Sequence, residues 1–251
     1  MPTLDRNGVN LYYEVHGSGP AILLTNGYSA TAEMWKPNLA ALSLRYRLIL
    51  WDMRGHGQTD SPNDPTLYSE EATVADMVAL LATCGVEQAV ISGLSLGGYM
   101  SLAFHLIHPE RVKALMLFDT GPGYKRDEPR AGWNKRAEAT AREYETKGLA
   151  ALGRSAEVLT SHHRSAQGLA HAARGMLAQR DARVINSLDS IKVPTLVLAG
   201  AKDEPFLAAT DYMAGKIPGA TKVIIPDAGH AANIDQPEAF NRAVLEFLER
   251  V

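Results

Sequence analysis

Apolar residues along this chain fall into short unbroken runs separated by longer amphipathic stretches. Ala21–Thr25, Arg45–Trp51, Ala89–Gly93, Val112–Phe118, Val193–Gly200 and Lys222–Ile225 show no helical periodicity, and turn-forming residues follow most of them. Such runs are what parallel strands covered on both faces require. The first segment differs. Val9, Leu11, Tyr13 and Val15 alternate after Asn7-Gly8, so residues 3–16 read as an antiparallel hairpin. Between the runs the spacing is helical: Trp35 and Leu39; Val74, Met77, Val78 and Leu81, with Ser69 as N-cap; a segment from Tyr99 to His108-Pro109; Leu207–Lys216; and Ile234–Arg250, whose Phe240, Val244, Phe247 and Leu248 face inward. Strands and helices alternating in this way predict an α/β fold, a mostly parallel eight-stranded sheet flanked by helices and built with right-handed crossovers.

Residues 122–188 break the rhythm. They are rich in Ala, Arg, Glu and His, contain no buried strand pattern, and read as amphipathic helices inserted between two strands. The expected organisation is one α/β core made from residues 1–121 and 189–251, interrupted by a helical insertion at 122–188.

Composition narrows the function classes. The chain has 251 residues, 46% of them hydrophobic and 21% charged, which is ordinary for a globular protein. A formal charge of −3 gives no basic surface for nucleic acid or anionic membrane. Cys84 is alone, so neither a disulfide framework nor a cysteine-based zinc site is expected. Met1–Arg6 lacks the apolar stretch of a signal peptide, and no run of about 18 apolar residues occurs. A cytoplasmic monomer or homodimer acting on a small molecule is expected. Gly17-Ser18-Gly19 precedes a strand and lacks a third glycine before a helix, so it is not a dinucleotide fingerprint, and no cofactor is expected.

One stretch carries the chemistry. The run Ala89–Gly93 ends in Gly93-Leu94-Ser95-Leu96-Gly97, and a helical pattern follows at once. A strand, a tight turn and a helix in that order can hold a serine on a strained elbow with its hydroxyl exposed. A serine hydroxyl is a poor nucleophile at neutral pH and needs a histidine base steered by a carboxylate, plus amide donors where an oxyanion forms. In an open parallel sheet these groups sit at the carboxyl ends of strands. His230, in the loop after the last run, is the leading base. His56 also follows a strand but lies among turn formers; His105 and His108 follow the elbow on its helix, and His162, His163 and His171 fall in the insertion. Asp203 is favoured as the carboxylate, one strand–helix unit before His230, and Asp119, at the end of the preceding strand, is its rival. Asp227 is close enough to His230 in sequence to bond a loop amide instead. The oxyanion donors are expected to be the amides of Leu96, which opens a helix, and Tyr28, after Gly27 in the loop following Ala21–Thr25.

Taken together, Asn26-Gly27, Asp52-Met53-Arg54-Gly55-His56-Gly57, the Ser95 elbow, Val193-Pro194-Thr195-Leu196 through Asp203, and Gly229-His230 resemble the α/β-hydrolases, in particular the small esterase, lactonase and C–C hydrolase branch with a helical lid. The resemblance covers essentially the whole chain. It implies Ser95 as nucleophile, Asp203 as acid, His230 as base and residues 122–188 as the lid. The family's usual His-Gly in the oxyanion loop is Asn26-Gly27 here, a departure that bears on how the loop is braced and which acyl group it accepts. Serine at the elbow argues against the haloalkane dehalogenases and epoxide hydrolases, which place aspartate there. The expected activity is cofactor-independent hydrolysis of a small carboxylic ester or lactone through an acyl-enzyme. A β-diketone C–C hydrolase, or a slow-turnover receptor on the same fold, is the alternative. Expected pocket residues are Asn26, with Tyr28, Trp35, Leu96 and Tyr124 at the mouth, and Trp133, Tyr144, Met176 and Leu177 from the insertion; core packing within the insertion accounts for these last four equally well.

Overall fold

The computed structural model, which describes residues 2–251, gathers the strands into one sheet. They are β1 (Thr3–Asp5), β2 (Asn10–His16), β3 (Ala21–Thr25), β4 (Arg47–Trp51), β5 (Ala89–Leu94), β6 (Val112–Phe118), β7 (Thr195–Gly200) and β8 (Thr221–Ile225). Their order is β1-β2-β4-β3-β5-β6-β7-β8. The two pairings that involve β2 are antiparallel and all others are parallel. Asn7 and Gly8 take φ of 56° and 85°, as a type I′ turn requires, and Arg6 and Val9 close the hairpin with reciprocal backbone bonds. From β3 the chain moves to one side to lay down β4, then returns to the other side for β5. The loops after β3 and β5 therefore diverge, and such a switch point leaves a crevice at the strand ends.

The helices are α1 (Lys36–Leu42), α2 (Glu70–Thr83), α3 (Leu96–Ile107), α4 (Asp127–Lys147), α5 (Ala156–Leu159), α6 (Ala166–Ala172), α7 (Arg183–Asn186), α8 (Glu204–Lys216), α9 (Ala232–Asp235) and α10 (Pro237–Leu248). Successive strand residues point to opposite faces, which divides the core in two. Leu23, Ile49, Ile91 and Val197 pack with Met77, Phe104 and Met213 from α2, α3 and α8. Ile22, Leu48, Val90 and Leu196 pack with Leu42, Phe240 and Val244 from α1 and α10. Both faces are covered, so the central strands carry unbroken apolar sequence.

Three local predictions shift. Trp35 lies in a separate 3₁₀ turn (Ala32–Trp35) ahead of α1. Helix α8 starts at Glu204, three residues before the predicted Leu207, because Pro205 sits in its first turn, where a missing N–H costs nothing. The predicted helix over 234–250 is two helices, α9 and α10, with Pro237 opening the second. Ser69 caps α2 as expected, its Oγ accepting from the Ala72 amide at 3.0 Å.

No strand occurs among the described residues between Phe118 and Thr195. The insertion there forms a small core of its own, in which Ala141 and Tyr144 of α4 meet Leu169, Ala170 and Ala173. It is seated tightly on the sheet domain. The His163 Nδ1 accepts from the Gly57 amide (3.1 Å) and Nε2 donates to the Ser29 carbonyl (3.0 Å). The Tyr28 hydroxyl donates to the Leu169 carbonyl at 2.8 Å. Gly175 lies against the chain leading into α2, and a Cβ there would stand 1.9 Å from the Tyr68 carbonyl oxygen. No helix of the described residues is long and apolar enough to cross a membrane.

The Asp52–Gly57 motif proves to be a brace. The Asp52 carboxylate accepts from the Ala32 and Gln58 amides, both at 2.8 Å. The Arg54 guanidinium grips buried Asp76 through two bonds of 2.6 and 2.9 Å. His56 is fully buried against the Arg54 carbonyl (3.0 Å), and burial pushes its pKa down to about 3, so it is a neutral structural imidazole.

Candidate active site

Ser95 occupies the turn between β5 and α3 with φ 55° and ψ −116°. A non-glycine residue in the left-handed region stores roughly 1–3 kcal/mol of strain, so the surroundings must impose it. They do so from both sides. The Ser95 amide donates to the Phe118 carbonyl (2.9 Å), and the Ser95 carbonyl accepts from the Tyr99 amide (3.1 Å) and the Thr120 hydroxyl (2.5 Å). The turn also demands glycine at its ends: a Cβ on Gly97 would lie 2.2 Å from the Thr25 carbonyl oxygen, and one on Gly93 2.4 Å from the Gly97 carbonyl carbon. Backbone is the obstacle in both cases and cannot rotate aside. Gly97→Ala is therefore expected to lower stability by about 3 kcal/mol or more, or to prevent soluble expression, as read by chemical unfolding.

The loop after β3 lies directly against the elbow, since a Cβ on Gly27 would come 3.4 Å from the Ser95 Cβ. Asn26 is fully buried, and its Nδ2 donates to the Ala30 carbonyl at 2.5 Å, closing the loop on itself. The residue that departs from the family pattern thus supplies its own brace. Leu96 is the first residue of α3, where amides have no partner within the helix and the dipole favours negative charge.

His230 follows β8 in a loop held by the Gly229 amide, which donates to Asp235 Oδ2 at 2.7 Å. Its Nδ1 meets Asp203 Oδ2 at 2.8 Å. Asp203 is 5% exposed. Asp119, the rival, is engaged elsewhere: its Oδ1 accepts from the Gly200 amide at 2.7 Å. Burial pushes the Asp119 carboxyl well above the usual range, against the Gly200 amide and His230, which favour the anion. Asp227 pairs with the Lys202 ammonium (2.9 Å) in solvent. For His230, burial alone would lower the pKa, but the hydrogen bond and charge of Asp203, with Asp119 and Glu157 behind it, more than offset this and leave it raised. Among the described residues Ser95 Oγ makes no hydrogen bond to His230; such contacts commonly tighten only with substrate in place. Phe206 ties the two together, stacking on the imidazole at 5.0 Å and lining the same cavity as Ser95.

That cavity measures about 250 Å³. Leu96, Tyr124, Trp133 and Leu177 line it, as does Ser95. Other expected pocket residues do not. Asn26 turns into its own loop. Trp35 is fully buried beneath the site, 6.0 Å from Phe118 and 6.5 Å from Phe240. Tyr144 belongs to the core of the insertion and Met176 to the core above the sheet. For Trp35, Tyr144 and Met176 a large, mostly apolar side chain found a drier place than the cavity wall. Four residues at the site went unread in sequence: Thr120, Gln179, Phe206 and Glu157. Thr120 follows Asp119 at a strand end, a position that signals a site residue; the others lie in stretches with no such mark. None of His162, His163 and His171 lines the cavity. No cluster of three or more His, Cys, Asp or Glu side chains suited to a metal ion occurs among the described residues.

Residues 16–243 match the model of the Alpha/beta hydrolase family. The chain belongs to the α/β-hydrolase family. It is 31% identical to 3-oxoadipate enol-lactonase 1 of Acinetobacter baylyi, over 98% of this chain and 96% of that protein. Among solved structures it is similar to the enol-lactonase from Burkholderia xenovorans LB400 (30% identity, TM-score 0.78, covering 99% of this chain and 100% of that one). It is also similar to a thermophilic esterase from Thermogutta terrifontis (28% identity, TM-score 0.83, covering 99% and 96%). The eight-stranded sheet with flanking helices is the fold of this α/β-hydrolase family, and the three relatives named above are enol-lactonases and an esterase.

Proposed function

We propose that the protein hydrolyses a small carboxylic ester or lactone through an acyl-enzyme formed on Ser95. The observation that carries this reading is the 2.8 Å pairing of His230 Nδ1 with buried Asp203, joined through Phe206 to the cavity lined by a serine held at positive φ. The Asp203 carboxylate fixes the imidazole tautomer with the proton on Nδ1, so that Nε2 is free to act as base. Ser95 Oγ attacks the acyl carbon while its proton passes to Nε2. The carbonyl oxygen becomes an oxyanion met by the Leu96 and Tyr28 amides. His230 then returns the proton to the departing alkoxide, and water repeats the sequence to release the acid and restore Ser95. Residues 122–188 act as the lid that walls the cavity. The named activities of the enol-lactonase and esterase relatives support this class of substrate.

A fluorophosphonate probe should label the protein stoichiometrically and fail to label Ser95→Ala; labelling that ignores the substitution would sink the reading. The raised pKa of His230 adds a pH expectation. The base must be neutral, so kcat/KM should rise as pH increases through a midpoint above the ordinary histidine value of about 6.5. Glu157→Gln removes one of the carboxylates that favour the cation, so its midpoint should move down; an unmoved midpoint would show that Glu157 does not act on the imidazole.

A further inference from the structure

The cavity beside Ser95 has an uneven chemistry. Its volume of about 250 Å³ leaves room for a short acyl arm. Tyr124, Trp133, Leu177 and Phe206 make it largely apolar, and no Lys, Arg or His is among the residues that line it. The charge paired with the catalytic imidazole is a carboxylate, Asp203 at 2.8 Å from His230 Nδ1, and Glu157 also biases His230 toward its cation.

Among the polar side chains of this wall, Gln179 is the one with a buried polar atom left unpartnered, and the acyl-transfer steps do not use it. Gln179 is 8% exposed, and its Oε1 is buried without a hydrogen-bond partner. Buried amides are almost always paired, so an orphan one on a cavity wall asks for a ligand. Its position is fixed from behind. Asn134 donates from Nδ2 to the Gln179 main-chain carbonyl (2.7 Å) and accepts from the Gln179 main-chain N–H on Oδ1 (2.8 Å). Gly123 makes the space, since a Cβ there would come within 2.9 Å of Oε1.

Resting on the reading of Ser95 as nucleophile, we propose that the cavity selects acyl groups that are uncharged and carry one polar group hydrogen-bonded by the Gln179 carboxamide. A carboxylate on the acyl arm would leave water for a wall with no cation and enter a field of like charge. A carboxamide, hydroxyl or ketone keeps its hydrogen bond through Gln179, whose amide offers both donor and acceptor.

Three methyl esters matched in shape test this: methyl glutaramate (carboxamide end), methyl hydrogen glutarate (carboxylate end) and methyl 5-methylhexanoate (branched alkyl end). For the wild type, kcat/KM for the carboxylate should lie about 100-fold or more below the carboxamide, and the carboxamide about five- to tenfold above the alkyl ester. Gln179→Leu should abolish the advantage of the carboxamide over the alkyl ester. Gln179→Lys should narrow the carboxylate gap by about tenfold or more. If Gln179→Leu fails to fold, Gln179→Met, which keeps the side-chain length, serves in its place. A carboxylate ester cleaved within about tenfold of the carboxamide in the wild type, or a carboxamide-to-alkyl ratio untouched by Gln179→Leu, overturns the proposal. So does failure to cleave any of the three while p-nitrophenyl acetate is still turned over in a Ser95-dependent way. Loss of that Ser95 dependence instead overturns the hydrolase reading itself.

Discussion

Replacing Ser95 with alanine is expected to reduce kcat on p-nitrophenyl acetate by roughly 10⁴- to 10⁶-fold, the range seen when the nucleophile of a serine hydrolase is removed. The fold should not suffer. The Ser95 hydroxyl makes no hydrogen bond among the described residues, and the contacts that hold the elbow run through its backbone amide and carbonyl. What the substitution leaves behind is the strain, because alanine at φ 55° is as uncomfortable as serine. Ser95→Gly should therefore be equally inactive and yet more stable than Ser95→Ala, by about 1 kcal/mol. Calorimetric unfolding of the two variants measures this directly. Equal melting temperatures would mean that the elbow is not strained, and residual activity above a hundredth of wild type would remove Ser95 from the chemistry.

The second large effect concerns the two buried aspartates. Asp203→Asn should cost roughly 10⁴-fold in kcat, because the amide stabilises the wrong imidazole tautomer and cannot support the imidazolium. Asp119→Asn should cost less than about tenfold. Its Oδ1 accepts from the Gly200 amide, which an asparagine oxygen also does, and burial already pushes the Asp119 carboxyl toward its neutral form. Asparagine is close to that neutral form in shape. Steady-state kinetics on the pair, with unfolding curves as control, distinguishes them; comparable losses would place both carboxylates in the reaction.

The elements were legible wherever one physical requirement dominated the sequence. Strands buried on both faces have to be apolar throughout, so their runs stood out almost to the residue. The hairpin announced itself through Asn7-Gly8, because few other pairs tolerate two successive positive φ values. The placement of His230 and Asp203 beside one another followed from chain order alone, since loops at the carboxyl ends of neighbouring parallel strands converge. Helix ends were read less well: Pro205 and Pro237 open helices that periodicity alone began later or ran together. The cavity wall was the least legible part. An aromatic or methionine in an amphipathic insertion serves a core as well as a pocket, and sequence does not say which. Trp35, Tyr144 and Met176 went to cores, whereas Trp133 and Leu177 reached the wall. Gln179 and Glu157 carried no mark, because a glutamine in an irregular segment or a glutamate on a short helix looks like a surface residue until something covers it.

Gly175 suggests where a laboratory selection for new substrates would find its gains. A Cβ on it would fall 1.9 Å from the Tyr68 carbonyl oxygen, and it precedes Leu177 by two residues and Gln179 by four. Any side chain there must lift the insertion from the chain leading into α2, and the displacement passes straight to those two wall residues. Variants at this seam would change the shape of the cavity while leaving every group that touches the substrate chemically intact. Libraries confined to the lining itself would miss them.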